Sequence, residues 1–287
     1  DKTHMGLLPT GLADILPPEA EFEAHITEVL MNYFAQYGYD RVKPPLIEFE
    51  DILLSGSGKN MAKQTFRMMD PISQRMLGVR ADMTLQIARI ASTRLGDLQR
   101  PIRLSYAGQV LRVKGSNLRP KRQFGQIGVE LIGSPSPKAD SEIILMAVEA
   151  LSKLGIKNLS IDLCLPTLVP AICQSHGIDS TTIVSRLRVA LDEKDKPAVQ
   201  TLEKELGEGT NDIFSSLLEA VGPVDKALNH LQKINLPENA AAELTKLSNI
   251  ISCLKTQTPK IKITIDPVET RGYKYHNGVT FTFFALN

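Results

Sequence analysis

Cysteine is scarce in this chain, and so is any excess of charge of one sign. Only Cys164, Cys173 and Cys253 occur among the 287 residues, and no two of them form a CxxC pair. An odd number without that spacing argues against a disulfide framework or a zinc site, and it predicts a cytoplasmic location where thiols stay reduced. Because the net charge is +1, no global field draws the chain to nucleic acid or to an anionic membrane.

Long apolar runs and metal-binding spacings are missing as well. No run of about 18 apolar residues is present, so the sequence predicts no membrane-spanning helix. The five histidines form no HExxH or comparable spacing, and we expect neither a metal site nor a cofactor. The stretch SGSGKN at 55–60 resembles part of a phosphate-binding loop, but Leu53 and Asn60 stand where that loop requires Gly and Ser or Thr. A flexible polar loop is the prediction for this stretch.

The sequence does contain apolar patterns that predict helices alternating with strands. Helical spacing follows Pro17-Pro18 and recurs over 139–154, while 159–165 alternates like a strand. Residues 102–111 and 123–132 predict an antiparallel hairpin joined by a long basic loop. Antiparallel strands with helices between and beside them indicate the α+β class rather than a doubly wound parallel sheet.

Composition divides the chain into three predicted parts. We expect residues 6–168 to form a core, an antiparallel sheet flanked by helices. Helical periods rich in leucine, alanine and charged residues dominate 169–257, which we interpret as a helical insertion. From Lys260 the strict alternation of KIKITID begins, and we expect 258–287 to return to the core sheet.

The most informative polar residues lie in the second strand of the predicted hairpin. Residues four apart on a strand share a face, so Gln126 and Glu130 point the same way, and Gly128 between them leaves room. An ionised carboxylate beside an amide oxygen makes an acceptor pair for an ammonium group. Arg112, on the partner strand, could supply the cation for an anionic group. A sheet surface with solvated polar residues is the alternative interpretation.

A second polar cluster, RGYKYHNG at 271–278, lies between two predicted strands. Arg271, Tyr275 and His276 all carry hydrogen-bonding side chains, which is typical of the rim of a pocket for a small polar ligand. An ordinary turn is the alternative interpretation of this cluster.

Taken together, these segments resemble class II aminoacyl-tRNA synthetases, and among them the histidyl type, from Gly6 to Phe284. The resemblance rests on five segments in the expected order: GLADILP at 11–17 for the amino-terminal signature, VKPPLIE at 42–48 for motif 1, VRADMT at 79–84 for the LRPEGT segment, 111–130 for motif 2, and RGYKYH at 271–276 for the RGLDYY motif. It implies an antiparallel sheet flanked by helices and a self-dimer formed through the motif 1 region.

The resemblance also implies a site for histidine or a related effector. In that family, the acidic residue and threonine of LRPEGT contact the amino acid, and the Gln and Glu of motif 2 hold its amino group. The effector-binding residues implied here are Asp82, Thr84, Arg112, Gln126, Glu130, Arg271, Tyr275 and His276. Of these, Arg112 or Arg271 would hold the carboxylate, while Tyr275 and His276 would rim the side-chain pocket.

Departures from the synthetase pattern favour a binding protein over an enzyme. Motif 2 reads LRVK, so Lys114 stands where a glutamate would face the adenine amino group. The loop arginine near the terminal phosphate aligns with Pro120, Gly125 replaces a histidine, and Lys274 replaces an aspartate. Adenylation depends on neutralising the charge that develops on the phosphates of ATP, so we expect amino-acid binding without activation, and no catalytic residue.

This pattern of departures resembles the regulatory subunits of ATP phosphoribosyltransferase, a paralogue family of the histidyl synthetases in histidine biosynthesis. The resemblance implies a catalytically inert chain that assembles with the short-form catalytic subunit into a hetero-octamer, activates it and mediates feedback inhibition by histidine. A truncated histidine–tRNA ligase core is the enzyme alternative. An RNA-binding or kinase-control protein on the same fold is a third possibility, against which the net charge of +1 argues.

Overall fold

The computed structural model describes residues 7–56, 58–207, 209–210, 212–270 and 277–285, and for 58–60 it describes the backbone alone. The chain divides after Pro135 into two compact units, which we call the first and the second unit. Both units combine helices with strands, as the α+β prediction requires, and that prediction is confirmed. No helix within the described ranges is long and apolar enough to cross a bilayer.

The first unit contains two small sheets and four helices among its described residues. In chain order its elements are α1 (Glu19–Gln36), β1 (Asp40–Arg41), β2 (Ile47–Phe49), α2 (Glu50–Leu53), α3 (Gly58–Gln64), β3 (Arg67–Met69), β4 (Met76–Val79), α4 (Thr84–Thr93), β5 (Ile102–Leu111) and β6 (Gln123–Ile132). One sheet has the order β1-β5-β6 and the other the order β2-β4-β3.

The predicted hairpin is confirmed, because β5 and β6 pair antiparallel along their full lengths. The register places Tyr106 opposite Gly128 and Gly108 opposite Gln126. Since side chains alternate between the faces of a strand, even-numbered residues of both strands share one face of the hairpin. That face carries the polar residues singled out above.

Helix α4 packs against the even-numbered face of the hairpin. Its residue Ile87 and the preceding Met83 are both 0% exposed and belong to one apolar cluster with Leu104, Tyr106 and Val110. Burying an apolar side chain of this size contributes about 1.5–3 kcal/mol. This packing fixes the beginning of α4 over the strands, so the residues before Thr84 face the hairpin.

The second unit has a four-stranded sheet with a helical layer built from the region rich in leucine and alanine. In chain order its elements are α5 (Pro137–Lys153), β7 (Leu159–Cys164), α6 (Leu168–Ser175), α7 (Thr181–Asp192), α8 (Lys196–Leu206), α9 (Ile213–Glu219), β8 (Gly222–Pro223), α10 (Val224–Leu231), α11 (Glu238–Gln257), β9 (Lys262–Asp266) and β10 (Thr280–Ala285). The strand order is β10-β7-β9-β8, with β7 and β9 parallel and the other pairs antiparallel.

The predicted helices and strands outside the hairpin also largely agree with the structure. Helices α1 and α5 and strand β7 lie where the apolar patterns indicate them, with ends shifted by one or two residues. The prediction of a loop over 55–60 is wrong for 58–60, which begin helix α3. The following residues Met61, Ala62 and Gln64 have high helix propensity, and they extend the helix back to Gly58.

The predicted division into a core, a helical insertion and a returning core stays a prediction. Helices α6 to α11 occupy the stretch interpreted as an insertion, and strands β9 and β10 follow it. In the structure, both of these strands pair with β7, within the second unit.

Candidate functional site

Four of the eight predicted effector-binding residues meet where α4 begins over the hairpin. Gln126 donates from Nε2 to Oδ2 of Asp82 at 3.3 Å and accepts at Oε1 from the backbone N–H of Met83 at 2.8 Å. Asp82 in turn accepts at Oδ1 from the N–H of Thr84 at 2.7 Å. These bonds hold the segment before α4 against β6, so Asp82, Thr84 and Gln126 form one polar cluster with their neighbour Glu130.

Glu130 is the half-buried carboxylate of this cluster that contacts Tyr106. Its Oε1 accepts a hydrogen bond from the hydroxyl of Tyr106 at 3.3 Å. Burial raises the pKa of Glu130 to about 7, the hydrogen bond from Tyr106 opposes that rise, and the negative charge of Asp82 adds to it. Close to neutral pH the side chain is therefore poised between its acid and its carboxylate form, and a nearby cation would favour the carboxylate.

Tyr106 belongs to the site, although sequence reasoning missed it. A side chain at Gly128 would overlap the Tyr106 ring and hydroxyl, so Tyr106 fills the space that was expected to stay open. Burial first, and then the charge of Glu130, raises the pKa of Tyr106 well above its usual value, while a hydrogen bond with the Thr84 side chain opposes that rise. The hydroxyl therefore stays neutral and can donate to Glu130. Pairing Tyr106 with Gly128 across the predicted hairpin could have found it.

Arg112 lies at the loop end of the same hairpin. Its Nε donates to the carbonyl oxygen of Ala81 at 3.3 Å, and its guanidinium carbon lies 5.0 Å from the centre of the Phe124 ring. This contact places the cation beside the residue that precedes Asp82. The structure thus brings Arg112 near the cluster, on the side facing the loop.

The three remaining predicted residues, Arg271, Tyr275 and His276, lie outside the residues that the structure describes. Their part in the site stays a prediction.

The loop between β5 and β6 carries two of the positions at which this chain departs from the synthetase pattern, Lys114 and Pro120. Lys114 is exposed, and its backbone N–H bonds to Oε1 of Gln64 at 3.2 Å. Ser116 and Arg119 exchange backbone hydrogen bonds of 2.8 and 3.1 Å, which close a tight turn. Arg122 donates to the carbonyl oxygen of Thr10 at 3.1 Å. The loop therefore has its own supports, separate from those of the cluster around Gln126.

Comparison with known proteins gives consistent matches over the whole chain. The sequence model of the histidyl-tRNA synthetase family matches residues 11–287. An ATP phosphoribosyltransferase regulatory subunit from Paramagnetospirillum magneticum is 53% identical over 287 residues, which cover 100% of this chain and 74% of that protein. The protein of the same description from Rhodospirillum centenum is 50% identical over 98% of this chain and 72% of its own length.

Solved structures resemble the whole described fold. A protein of Bacillus halodurans described as an ATP phosphoribosyltransferase regulatory subunit/histidyl-tRNA synthetase aligns with a TM-score of 0.83 at 24% identity, over 99% of this chain and 74% of that one. A chain of the ATP phosphoribosyl transferase complex of Thermotoga maritima aligns with a TM-score of 0.66 at 16% identity, over 95% of this chain and 88% of that one. At these identities the likeness establishes the fold alone.

Proposed function

The chain belongs to the family of ATP phosphoribosyltransferase regulatory subunits, and on that premise we propose that it is a non-catalytic subunit of such a complex. It is required for the activity of a short-form catalytic subunit in histidine biosynthesis, and it carries the feedback response to histidine. Together the chains form a cytoplasmic hetero-octamer. The observation that carries the effector part of this proposal is the cluster of half-buried acceptors, Asp82, Gln126 and Glu130, at the start of α4.

The cluster suits the ammonium group of an amino acid. Oε1 of Gln126 accepts one hydrogen bond from Met83 and, like any amide oxygen, has a second lone pair for a ligand. Glu130 is a desolvated carboxylate whose charge is favoured by a bound cation. Histidine therefore places its ammonium group at Glu130, Gln126 and Asp82, near the hydroxyl of Thr84.

The other groups of histidine require residues at the rim of this cluster. Arg112 or Arg271 holds the carboxylate of the ligand, since a guanidinium group matches a carboxylate in shape and charge. The position of Arg112 beside Ala81 supports the first choice. Tyr275 and His276 lie outside the described residues, and their contact with the imidazole ring stays a prediction from the resemblance to the RGLDYY motif.

Binding on this site proceeds without activation of the amino acid. Transfer of an adenylyl group needs cations placed on the phosphates and an acceptor for the adenine amino group. Pro120 provides no cation, and Lys114 places a positive charge where the acceptor belongs. The site consequently acts by binding the effector more tightly in one quaternary state of the complex than in another.

A second copy of the chain binds at the sheet formed by β2, β4 and β3. Strands β2 and β3 are the edges of this sheet, and the motif 1 stretch 42–48 ends within β2. Exposed apolar side chains gather there, namely Leu46, Ile47, Ile52, Met68, Met69, Ile72 and Met76. Several exposed apolar side chains on and beside one small sheet favour a protein–protein interface, which supports the self-dimer.

Co-purification with a short-form catalytic subunit tests the assembly, and turnover with and without this chain tests the activation. We expect one complex on size exclusion, turnover that depends on both chains, and inhibition by histidine. Glu130→Gln serves as the matched variant, because it should retain assembly and activation and lose inhibition. Separate elution of the two chains would contradict the proposal, and histidine-dependent pyrophosphate exchange by this chain alone would establish the ligase alternative.

A further inference from the structure

A buried carboxylate joins strand β2 to helix α4. Only 10% of the Glu48 side chain is exposed. Its Oε1 lies 2.6 Å from Nε of Arg89, and its Oε2 accepts from Nε2 of Gln86 at 2.5 Å. Glu48 therefore contacts two residues on neighbouring turns of α4.

The amide of Gln86 has only one satisfactory orientation in this contact. Its Nε2 donates both to Glu48 and to the carbonyl oxygen of Pro45, at 2.7 Å. Gln86 is 1% exposed, and its Oε1 is buried without a hydrogen-bond partner, which carries a free-energy cost. Turning the amide over would place its oxygen against two acceptors. Glu48 and Pro45 thus fix this side chain, and with it the position of α4 along β2.

The same helix begins at the effector cluster. The segment that leads into α4 is held at Met83 by Gln126. Arg80, just before it, donates from Nε to the carbonyl oxygen of Gln109 at 2.8 Å and from Nη1 to that of Pro44 at 3.1 Å. A continuous set of packed and hydrogen-bonded groups therefore runs from β2, along α4, to the acceptors for the ammonium group.

The Glu48–Arg89 pair also faces the region expected to form the self-dimer. A groove of about 430 Å³ is lined by Ile47, Phe49 and Ile52 together with Glu48 and Arg89 themselves. A second copy seated on the apolar residues of this groove would remove water from the pair. Nε of Arg89 makes no hydrogen bond within the described residues, so the contact is an ion pair only. Removal of water strengthens the electrostatic attraction between its two opposite charges.

We propose that Glu48 is a positioning residue that couples self-association at this groove to effector binding at the start of α4. The inference rests on the self-dimer and the histidine site proposed above. Association tightens the Glu48–Arg89 pair and fixes α4, so that Asp82 and Met83 are already arranged when histidine arrives. A prearranged site binds its ligand more tightly, because less ordering accompanies binding. Linkage makes the effect reciprocal, so histidine strengthens self-association by the same factor.

Sedimentation of labelled chain with and without histidine measures this factor directly. For the wild-type chain we expect histidine to lower the dimer dissociation constant by about 5-fold or more, a value within the usual range of allosteric coupling. In Glu48→Gln the factor should fall towards 1. Arg89→Lys keeps the positive charge and should retain most of the coupling.

Glu50→Gln is the matched control. Glu50 follows β2 directly and pairs with Arg67 at 3.0 Å, so its loss changes a neighbouring ion pair outside the contact with α4. The control should leave the factor unchanged. Circular dichroism of each variant verifies that it folds. If Glu48→Gln does not fold, Arg89→Gln takes its place, because it breaks the same ion pair by changing the residue on α4.

Two results would overturn the coupling. In the first, the wild-type chain binds histidine in calorimetry but its dimer dissociation constant is the same with and without histidine. This outcome leaves the proposed function intact. The other is an unchanged factor in Glu48→Gln, which would reduce Glu48 to a structural role. A wild-type chain without any histidine binding would remove the effector site and the coupling together.

Discussion

The strands and the loop of the β5–β6 hairpin differ in charge, burial and support. On the strands, Gln126 and Glu130 are half-buried and contact Met83 before α4 and Tyr106, respectively. In the loop, Lys114, Arg119 and Lys121 are exposed, and 112–122 contains no acidic residue. The strands thus hold prearranged acceptors for one small cation, whereas the loop presents solvated cations.

This difference shows how one half of a synthetase-like site can exist without the other. The acceptors on the strands are fixed by contacts with Asp82, Met83 and Tyr106, none of which involves the loop. The loop is closed by its own Ser116–Arg119 turn. Because the two regions are supported separately, the nucleotide-facing positions can change while the amine-binding positions keep their geometry.

The largest expected effect on histidine affinity comes from removing the negative charge of Glu130 on strand β6. We expect Glu130→Gln to weaken histidine binding by about 100-fold, because the ammonium group loses a half-buried, charged hydrogen-bond partner. Isothermal calorimetry measures the change. Glu23→Gln is the control, since Glu23 bonds to Gln109 on the other face of the hairpin and should alter affinity by less than about twofold. Equal affinities for Glu130→Gln and wild type would mean that histidine binds elsewhere.

The close approach of Tyr106 to β6 gives the second expected effect. We expect Gly128→Ala to lower the free energy of unfolding by about 1–3 kcal/mol, because the added methyl group overlaps the Tyr106 ring. Chemical denaturation measures the change. In the matched variant Gly125→Ala, on the same strand, the new methyl group lies 3.1 Å from a carboxylate oxygen at the far end of the Glu23 side chain, which can shift by a few tenths of an ångström. That variant should lose less than about 0.5 kcal/mol, and similar losses in both would refute the close approach.

The third expected effect is a dependence of histidine affinity on pH. The free chain has a Glu130 pKa of about 7, and the bound ammonium group favours the carboxylate. Below pH 7, binding must therefore release a proton from Glu130, and affinity falls as the pH is lowered. Between pH 8 and pH 6 the ionised fraction drops about tenfold, and affinity should drop by a similar factor. Subtracting the profile of Glu130→Gln removes the titration of the ligand itself. Identical pH profiles of histidine affinity for the wild-type chain and Glu130→Gln would show that Glu130 keeps one charge state between pH 6 and pH 8.

Sequence patterns predicted the parts of this site that depend on local spacing. Strand alternation placed Gln126 and Glu130 on one face, and the two ten-residue strands appear at the predicted positions. The resemblance to motif segments named Asp82 and Thr84, which the fold brings to the same cluster. The placement of these four residues could be predicted because a period of two along a strand, and a short motif, both involve residues close together in the chain. That they bind an effector stays a prediction.

The features that sequence reasoning missed depend on residues far apart in the chain. The contact of Tyr106 with Glu130 spans 24 positions, and that of Glu48 with Gln86 spans 38. No local period indicates such pairs, and a buried glutamate in a motif segment has the same sequence appearance as an exposed one. The Tyr106–Glu130 contact could be predicted from the register between β5 and β6. The Glu48–Gln86 contact could not, because it depends on how α4 packs on β2.

The smallest expected effect concerns the loop. We expect Lys114→Glu to change histidine affinity by less than about twofold, because its side chain is exposed and its charge is screened by salt and water. Calorimetry under the conditions used for Glu130→Gln provides the comparison. The same substitution restores the residue type that a synthetase has at this position, so the variant should also remain inactive in pyrophosphate exchange while Pro120 stands in the loop. A tenfold change in affinity would show that the loop and the strands act as one site, and their separate supports would then no longer explain how the amine-binding half exists alone.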